Sequence, residues 1–199
     1  MSRPTLRRTT RDRLLDAAET CMSEKGIRAT TVLAVAEEAG VSRAWLYRHF
    51  PDKSSLLGAA IVRLDEQFWK ESRATLDAIE GFDRRLAAGV RLGRSAYDAP
   101  GALLLRLRTT EPEEFAACAG AGVQGLVPSL AAFWRSYVAE AIADGDIHAG
   151  HHELTTAEWV ARILISIGTV PGDTLDPDDE CAVLEYLRRY VMPGLRAAP

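Results

Sequence analysis

Apolar positions along the chain recur at intervals of three and four, the period of a helix buried on one side, and no stretch alternates apolar and polar residues for any length. The first stripe is Leu14, Leu15, Ala18, Cys21 and Met22. Thr9 or Thr10 stands at its start, with Asp12 placed for a capping box with Thr9. Lys25-Gly26 ends it, and Ile27 is positioned to close back on Met22 in a Schellman arrangement. A second, shorter stripe, Leu33, Ala36 and Ala39, follows Thr30 and Thr31, whose hydroxyls suit a helix start. Gly40 comes next, the residue of choice where a chain leaves a helix with positive φ. Ser42 sits where a further N-cap belongs, and Leu46 and Phe50 form an i, i+4 apolar pair.

The rest of the chain continues in helices. Pro51 breaks the preceding one and Asp52 caps a long helix from Ser54 to Ile79, with Leu56, Leu57, Ala60, Leu64, Phe68 and Leu76 on its buried side. Further helices are predicted over Phe82 to about Tyr97, Ala102 to Thr109, and about Gln124 to Ala143 with a bend near Pro128. Gly81, Pro100-Gly101, Pro112 and the AGAGVQG stretch punctuate them. Thr155 with Glu158 reads as a capping box for a helix reaching about Gly168. After the loop TVPGDTLDPDD, Asp176-Pro177 and three acids start a last helix that runs to about Tyr190, where Pro193-Gly194 stop it. The predicted fold class is all-α, with no internal repeat.

Two short helices joined by a tight Gly-containing turn form a helix-turn-helix unit. At about 100° per residue, with Leu46 inward, Ala44 and Arg48 point almost directly away, flanked by Trp45 and Tyr47. That outward face is small, aromatic and basic, without a carboxylate, whereas a solvated helix face is rich in Glu and Lys. Insertion into a DNA major groove explains it: Arg reads guanine edges, and Tyr or His donates to phosphate.

The order Thr-Thr, Ala-Gly-Val-Ser, Leu-Tyr-Arg-His-Phe, Asp-Lys over Thr30 to Lys53 resembles the DNA-binding segment of the TetR family of transcriptional repressors, and LYRHFPDKSSLL is its most specific part. The resemblance covers roughly residues 9 to 60 well and the remainder only in architecture. It implies a helix-turn-helix DNA-binding domain with a basic arm over residues 1–52 and a helical ligand-binding and dimerisation domain over 53–199. Carried over by position, Arg43, Ala44 and Trp45 fall where base edges are read, Tyr47, His49 and Lys53 where phosphates are held, and Thr30 and Thr31 at the helix start near the backbone. Trp45 departs from the smaller residue common there; it either stacks on a thymine methyl or fills the head's core. Arg48 contacts phosphate or base.

The resemblance also implies a four-helix dimer interface from the last two helices of each subunit, here Trp159, Ile163, Ile167, Leu184, Leu187 and Val191; the alternative is monomer core. Two heads about 34–36 Å apart reach successive major grooves and read a palindromic operator. A small apolar or amphipathic effector is expected between the body helices, where Phe68, Phe82, Leu86, Leu104, Leu107, Phe133, Trp134 and Tyr137 line a cavity or form plain core. Effector binding then releases a repressor from its operator. A regulator without an effector, and a helical ligand-binding protein without DNA-binding activity, are the alternatives.

Charge agrees with this division. Residues 1–60 hold 10 Lys or Arg against 7 Asp or Glu, and residues 61–199 hold 14 against 21, a basic head on an acidic body. Arg3, Arg7, Arg8, Arg11 and Arg13 form either a solvated tail or an arm tracking phosphates. Apolar content of 47% suffices for buried cores, and no apolar run approaches the about 18 residues of a membrane span. No apolar signal segment opens the chain, and Cys21, Cys118 and Cys181 lie far apart without CxxC, so a reduced, cytoplasmic protein is expected. His148, His151 and His152 read as a polar loop rather than a metal site. No P-loop, GxSxG or HExxH is present, and neither an enzymatic activity nor a cofactor is expected.

Overall fold

The computed structural model describes residues 9–95, 102–120, 125–170 and 172–199. The helices are α1 (Thr10–Ala29), α2 (Val32–Glu38), α3 (Arg43–His49), α4 (Lys53–Asp77), α5 (Phe82–Ser95), α6 (Ala102–Thr110), α7 (Pro112–Ala119), α8 (Leu126–Ala143), α9 (Glu153–Thr169) and α10 (Glu180–Tyr186). A π-helical turn (Leu187–Val191) and α11 (Met192–Arg196) complete them. No described residue is in a strand, and no helix among them is long and apolar enough to cross a membrane. The chain divides into two units, Met1–Arg63 with Arg106–Gly125, and Leu64–Leu105 with Leu126–Pro199. Arg3, Arg7 and Arg8, the ends expected at Tyr97 and Gln124, and the Pro100-Gly101 break lie outside the described residues.

In the first unit, α1 opens with the expected capping box: Thr9 Oγ1 accepts from the Asp12 N–H at 3.1 Å, and Asp12 Oδ2 accepts from the Thr9 N–H at 3.0 Å. Leu14, Leu15, Ala17, Ala18, Cys21 and Met22 are its buried stripe. The expected Schellman closure does not form. Gly26 adopts φ 79° and ψ 178°, not the left-handed helical values that closure needs, and the Ile27 N–H donates to Glu111 instead. On α2 the buried residues are Val35 and Ala36, with Ala39 at its end, whereas Leu33 is 54% exposed. Leu33 lies about 200° around the helix from Val35, so seating α2 through Val35 turns it outward. The α7 helix corrects the reading of Pro112 as punctuation alone. Proline fits the first helical turn, where its missing N–H has no helical partner to lose; Glu113 and Glu114 face the positive helix end, and Phe115 and Cys118 are buried.

In the second unit, Phe82, Leu86 and Val90 of α5, Leu130, Trp134, Tyr137 and Val138 of α8, and Val160, Ala161 and Leu164 of α9 share one core. Pro128 falls in the first turn of α8, so no bend is required there. The α9 helix starts at Glu153 after His152, which places Thr155 inside the helix; the expected Thr155–Glu158 box is absent, and Glu158 pairs with Arg162 at 2.7 Å. Asp179 caps α10, accepting from the Cys181 and Ala182 N–H groups at 2.9 and 3.2 Å. Pro193 does not end the last helix. The wider π turn, closed by the Met192 N–H on Leu187 O, comes just before α11, whose first turn holds Pro193, and the chain stays helical to Arg196.

Candidate nucleic-acid interface

The surface of interest is built on a fastened turn. Gly40 takes φ 64°, and the N–H groups of Gly40 and Val41 donate to Glu37 O at 3.0 Å and Ala36 O at 2.9 Å. Arg13 Nη2 donates to Ala39 O at 2.6 Å, and the Arg11 guanidinium lies 4.7 Å from the Phe50 ring centroid. Both arginines are exposed residues of α1, Arg13 bonded to the turn and Arg11 laid on the end of α3, so they belong to a helix and not to an arm. Ser42 Oγ caps α3, accepting from the Trp45 N–H at 3.1 Å. Leu46 and Phe50, 0% and 3% exposed, pin the helix from beneath.

On the outer side, Arg43, Ala44, Trp45, Tyr47 and Arg48 are exposed and His49 is half-buried. Their side chains are already ordered against one another. Arg43 Nη2 donates to the Tyr47 hydroxyl at 3.2 Å with its guanidinium 5.4 Å from the ring. Arg48 stacks 5.1 Å from the Trp45 ring, and His49 meets that ring edge-on at 5.8 Å. Trp45 is 42% exposed, which removes the alternative that it fills the head's core. From Ala39 to Pro51 the chain carries no carboxylate, so nothing on α3 repels phosphate.

The flanking residues divide. Thr31 Oγ1 caps α2, accepting from the Ala34 N–H at 3.1 Å, and is exposed. Thr30 is fully buried and its hydroxyl donates to Gly26 O at 2.6 Å, so its side chain is not offered to the surface as expected. Lys53 Nζ donates to Arg28 O at 2.9 Å, tying the start of α4 to the end of α1. Asp52 Oδ1 accepts from the Ser55 N–H at 2.7 Å, and that bond foremost holds its carboxyl below the usual range. Glu111, which sequence reasoning passed over, accepts from the Ile27 and Arg28 N–H groups at 2.9 and 2.7 Å. No local pattern signals it, because its partners lie far away in the chain.

The residues expected to meet an effector are not all brought together. Phe68, Phe82, Leu86, Trp134 and Tyr137 share the core of the second unit with Phe133 against it, while Leu107 belongs to the first unit. Leu104 is half-buried in the second. Trp69 joins the rings, which pack at centroid distances of 5.0 to 6.5 Å. Trp134 is fully buried, its indole N–H has no partner, and Gly89 leaves room for its ring: a Cβ there would come within 2.7 Å of it.

Of the expected dimer residues, Leu187 and Val191 are buried inside the subunit, a correction that follows from α10 and the π turn packing on α5. Trp159 is 39% exposed; Ile163, Ile167 and Leu184 are half-buried. In the polar loop, His148 Nδ1 accepts from the Gly150 N–H at 3.0 Å, His151 Nε2 lies 3.1 Å from Ala197 O and His152 Nδ1 lies 3.4 Å from Thr155 Oγ1. No group of three His, Cys, Asp or Glu among the described residues could hold a metal.

A basic, aromatic helix offered by a three-helix head, carried with an all-helical body, defines a helix-turn-helix DNA-binding protein. Residues 14–60 match the bacterial regulatory proteins of the tetR family. An uncharacterised HTH-type transcriptional regulator of Mycobacterium tuberculosis strain H37Rv is 30% identical over 193 residues, covering 94% of this chain and 88% of that protein. The chain belongs to the TetR family and is a DNA-binding transcriptional regulator. The HTH-type transcriptional repressor KstR2 of Rhodococcus jostii strain RHA1 is 42% identical over 80 residues, 35% of this chain and 39% of that one. Among solved structures, the TetR family repressor AlkX from Dietzia sp. strain DQ12-45-1b has the same fold, with a TM-score of 0.66 at 24% identity over 96% of this chain and 100% of that one.

Proposed function

We propose that this regulator is a homodimeric, cytoplasmic repressor that binds a palindromic operator through α3 and is released by a small apolar or amphipathic effector. Arg43, Ala44 and Trp45 read base edges; Tyr47, His49, Arg48 and Lys53 hold the sugar-phosphate backbone with the Thr31 end of α2. Thr30 acts only from beneath, through its bond to Gly26 O. The observation that carries this reading is the exposed α3 face: two arginines laid on aromatic rings, no carboxylate, and a core-anchored helix under them. Repression is supported by the similarity to a named repressor over 80 residues. The effector is supported by the buried aromatic cluster and the unpartnered Trp134 N–H within it, a donor for one acceptor group on an otherwise apolar molecule.

The test is a selection from random duplexes with the full chain, followed by gel-shift titration in salt. An inverted repeat is expected, with affinity falling steeply as salt rises because several phosphates are neutralised. No sequence selectivity, or a flat salt response, overturns the DNA assignment. A second reading, a regulator whose body is only a dimer scaffold, is favoured by the ring-on-ring packing of the cluster. A melting-temperature screen with small apolar compounds separates the two: a ligand that raises the melting temperature and weakens operator binding supports release, and a body indifferent to all of them supports the scaffold.

A further inference from the structure

Glu111 stands between α6 and α7, far along the chain from the residues that match the family, yet its carboxylate is spent inside the DNA-binding head. Its Oε1 accepts from the Ile27 N–H at 2.9 Å and its Oε2 from the Arg28 N–H at 2.7 Å. Those two donors are available because Gly26, at φ 79° and ψ 178°, interrupts the hydrogen-bond ladder of α1. Successive N–H groups aimed at one anion form a backbone concavity with a net positive potential. A Cβ on residue 26 would fall on the Glu111 carboxylate, so glycine there serves the backbone conformation and the space together.

The same corner gathers bonds from α4, α6 and α7. Arg106 Nη2 donates to Ser23 O at 2.5 Å, Arg28 pairs with Glu114, Lys53 Nζ reaches Arg28 O at 2.9 Å, and the Thr30 hydroxyl reaches Gly26 O at 2.6 Å. The corner leads directly into Thr31, the cap that starts α2, and holds Lys53; both belong to the surface proposed for phosphates.

We infer that Glu111 is a positioning residue for operator binding: its carboxylate clasps the α1–α2 corner and sets how Thr31 and Lys53 meet the duplex, so that operator affinity follows whether the clasp is closed. The inference rests on the DNA-binding reading of α3. Glu111 directly follows the last residue of α6, whose Arg106 also donates to Ser23 O, so a shift or unwinding of that helix pulls on the clasp. The clasp is therefore a point through which a change outside the three-helix head alters DNA affinity without touching α3.

The test uses the full chain and, as probe, the duplex that the wild-type chain recovers from a random pool. Glu111→Gln replaces one acceptor oxygen by an amide that faces a backbone donor. It is expected to weaken binding at least tenfold with the base preferences unchanged and the log-affinity against log-salt slope lowered by no more than about one, the share of Lys53, since α3 keeps its contacts. Amide hydrogen exchange by NMR is expected to show Ile27 and Arg28 losing protection while Leu46 and Phe50 keep theirs. Affinity within twofold of wild type overturns the inference, and so does a loss of protection at Leu46 and Phe50 together with the affinity, which marks a role in folding alone. Failure of the wild-type chain to recover any duplex is a different result: it removes the DNA-binding reading before the variant is made.

Discussion

Arg63 is locked to Glu19. From α4 its Nε donates to Glu19 Oε1 at 2.8 Å, its Nη2 to Asp16 Oδ1 at 2.8 Å, and its Nη1 to Asp12 O at 3.4 Å. A single guanidinium thus ties α4 to three residues of α1, and Arg63 is also where the first unit's share of α4 ends. Burial is the largest single influence on this guanidinium and favours its neutral form; the hydrogen bonds and charges of Glu19 and Asp16 together overcome it and raise the pKa. The raised value means that the contribution is fully present over the whole working pH range and is lost only at strongly alkaline pH.

Replacing Arg63 by Met is therefore expected to cost about 1–2 kcal/mol, between the value of an exposed pair and that of a fully buried one. A double-mutant cycle with Glu19→Gln in urea melts measures the pair directly. Strict additivity of the two losses would show that the Arg63–Glu19 pair contributes nothing and would leave Asp16, the Asp12 carbonyl and packing as what Arg63 acts through.

On α3, Arg43 rests on Tyr47 through both a hydrogen bond and its ring. Arg43→Ala is expected to relax sequence choice at one base pair in each half-site, at about 1–3 kcal/mol for that pair. Tyr47→Phe keeps the ring but removes the hydroxyl, so a smaller loss spread evenly over all sequences is expected. Binding-site selection repeated with each variant checks both. An even loss for Arg43→Ala would make it a backbone contact instead.

These α3 residues could be found from the sequence because the signals that place them are local. The Thr9–Asp12 box, the Gly40 turn, the Ser42 cap and the Leu46–Phe50 pair each involve residues a few positions apart, and the structure forms all four. The errors arise where a distant element decides. Leu33 faces outward because α2 seats on α1 through Val35 and Ala36, and its own spacing with Ala36 and Ala39 says nothing about that choice. The end of α1 is completed by Glu111 instead of by its own carbonyls, which no pattern near Gly26 reveals. Pro112 was half right: it does end a stretch, but a proline that ends one helix can open the next. Pro193 falls in the first turn of α11, where its missing N–H has no helical bond to lose, and the expected stop becomes a continuation.

The Tyr137 hydroxyl donates to Asp77 Oδ1 at 2.6 Å, and its pKa is pushed up from 10.0 to about 12, first by burial and then by that hydrogen bond. The protonated phenol is the form the folded chain favours. Its contribution is therefore complete below pH 10, the unfolded value, and is lost as pH rises through the folded value near 12. Tyr137→Phe is expected to lower stability by about 1–2 kcal/mol at pH 8 and to flatten the fall between pH 10 and 12. Urea melts at a series of pH values check this; an unchanged alkaline slope in the variant would assign the fall to other groups.

The α9 helix has two apolar sides. Val160, Ala161, Leu164 and Gly168 are buried in the subunit, while Trp159, Ile163 and Ile167 run down another face at helical spacing, Trp159 39% exposed, with Val170 just past the helix end 63% exposed. Of that stripe, Trp159 is exposed and Ile163 and Ile167 are half-buried against the core, and these three, with Leu184, are the part of the expected interface that remains after Leu187 and Val191 are assigned to the core. A Trp159→Asp, Ile163→Asp double variant is expected to give a folded chain with one subunit's mass by sedimentation equilibrium. Its operator affinity should drop far more than any single α3 substitution causes, because two linked heads bind at a high effective concentration and one does not. Leu187→Asp should behave differently, since a charge buried in the subunit core unfolds the chain as judged by its helical circular dichroism. If the double variant stays folded and keeps the mass of a dimer, the α9 stripe is not the interface, and the two heads are joined through another face.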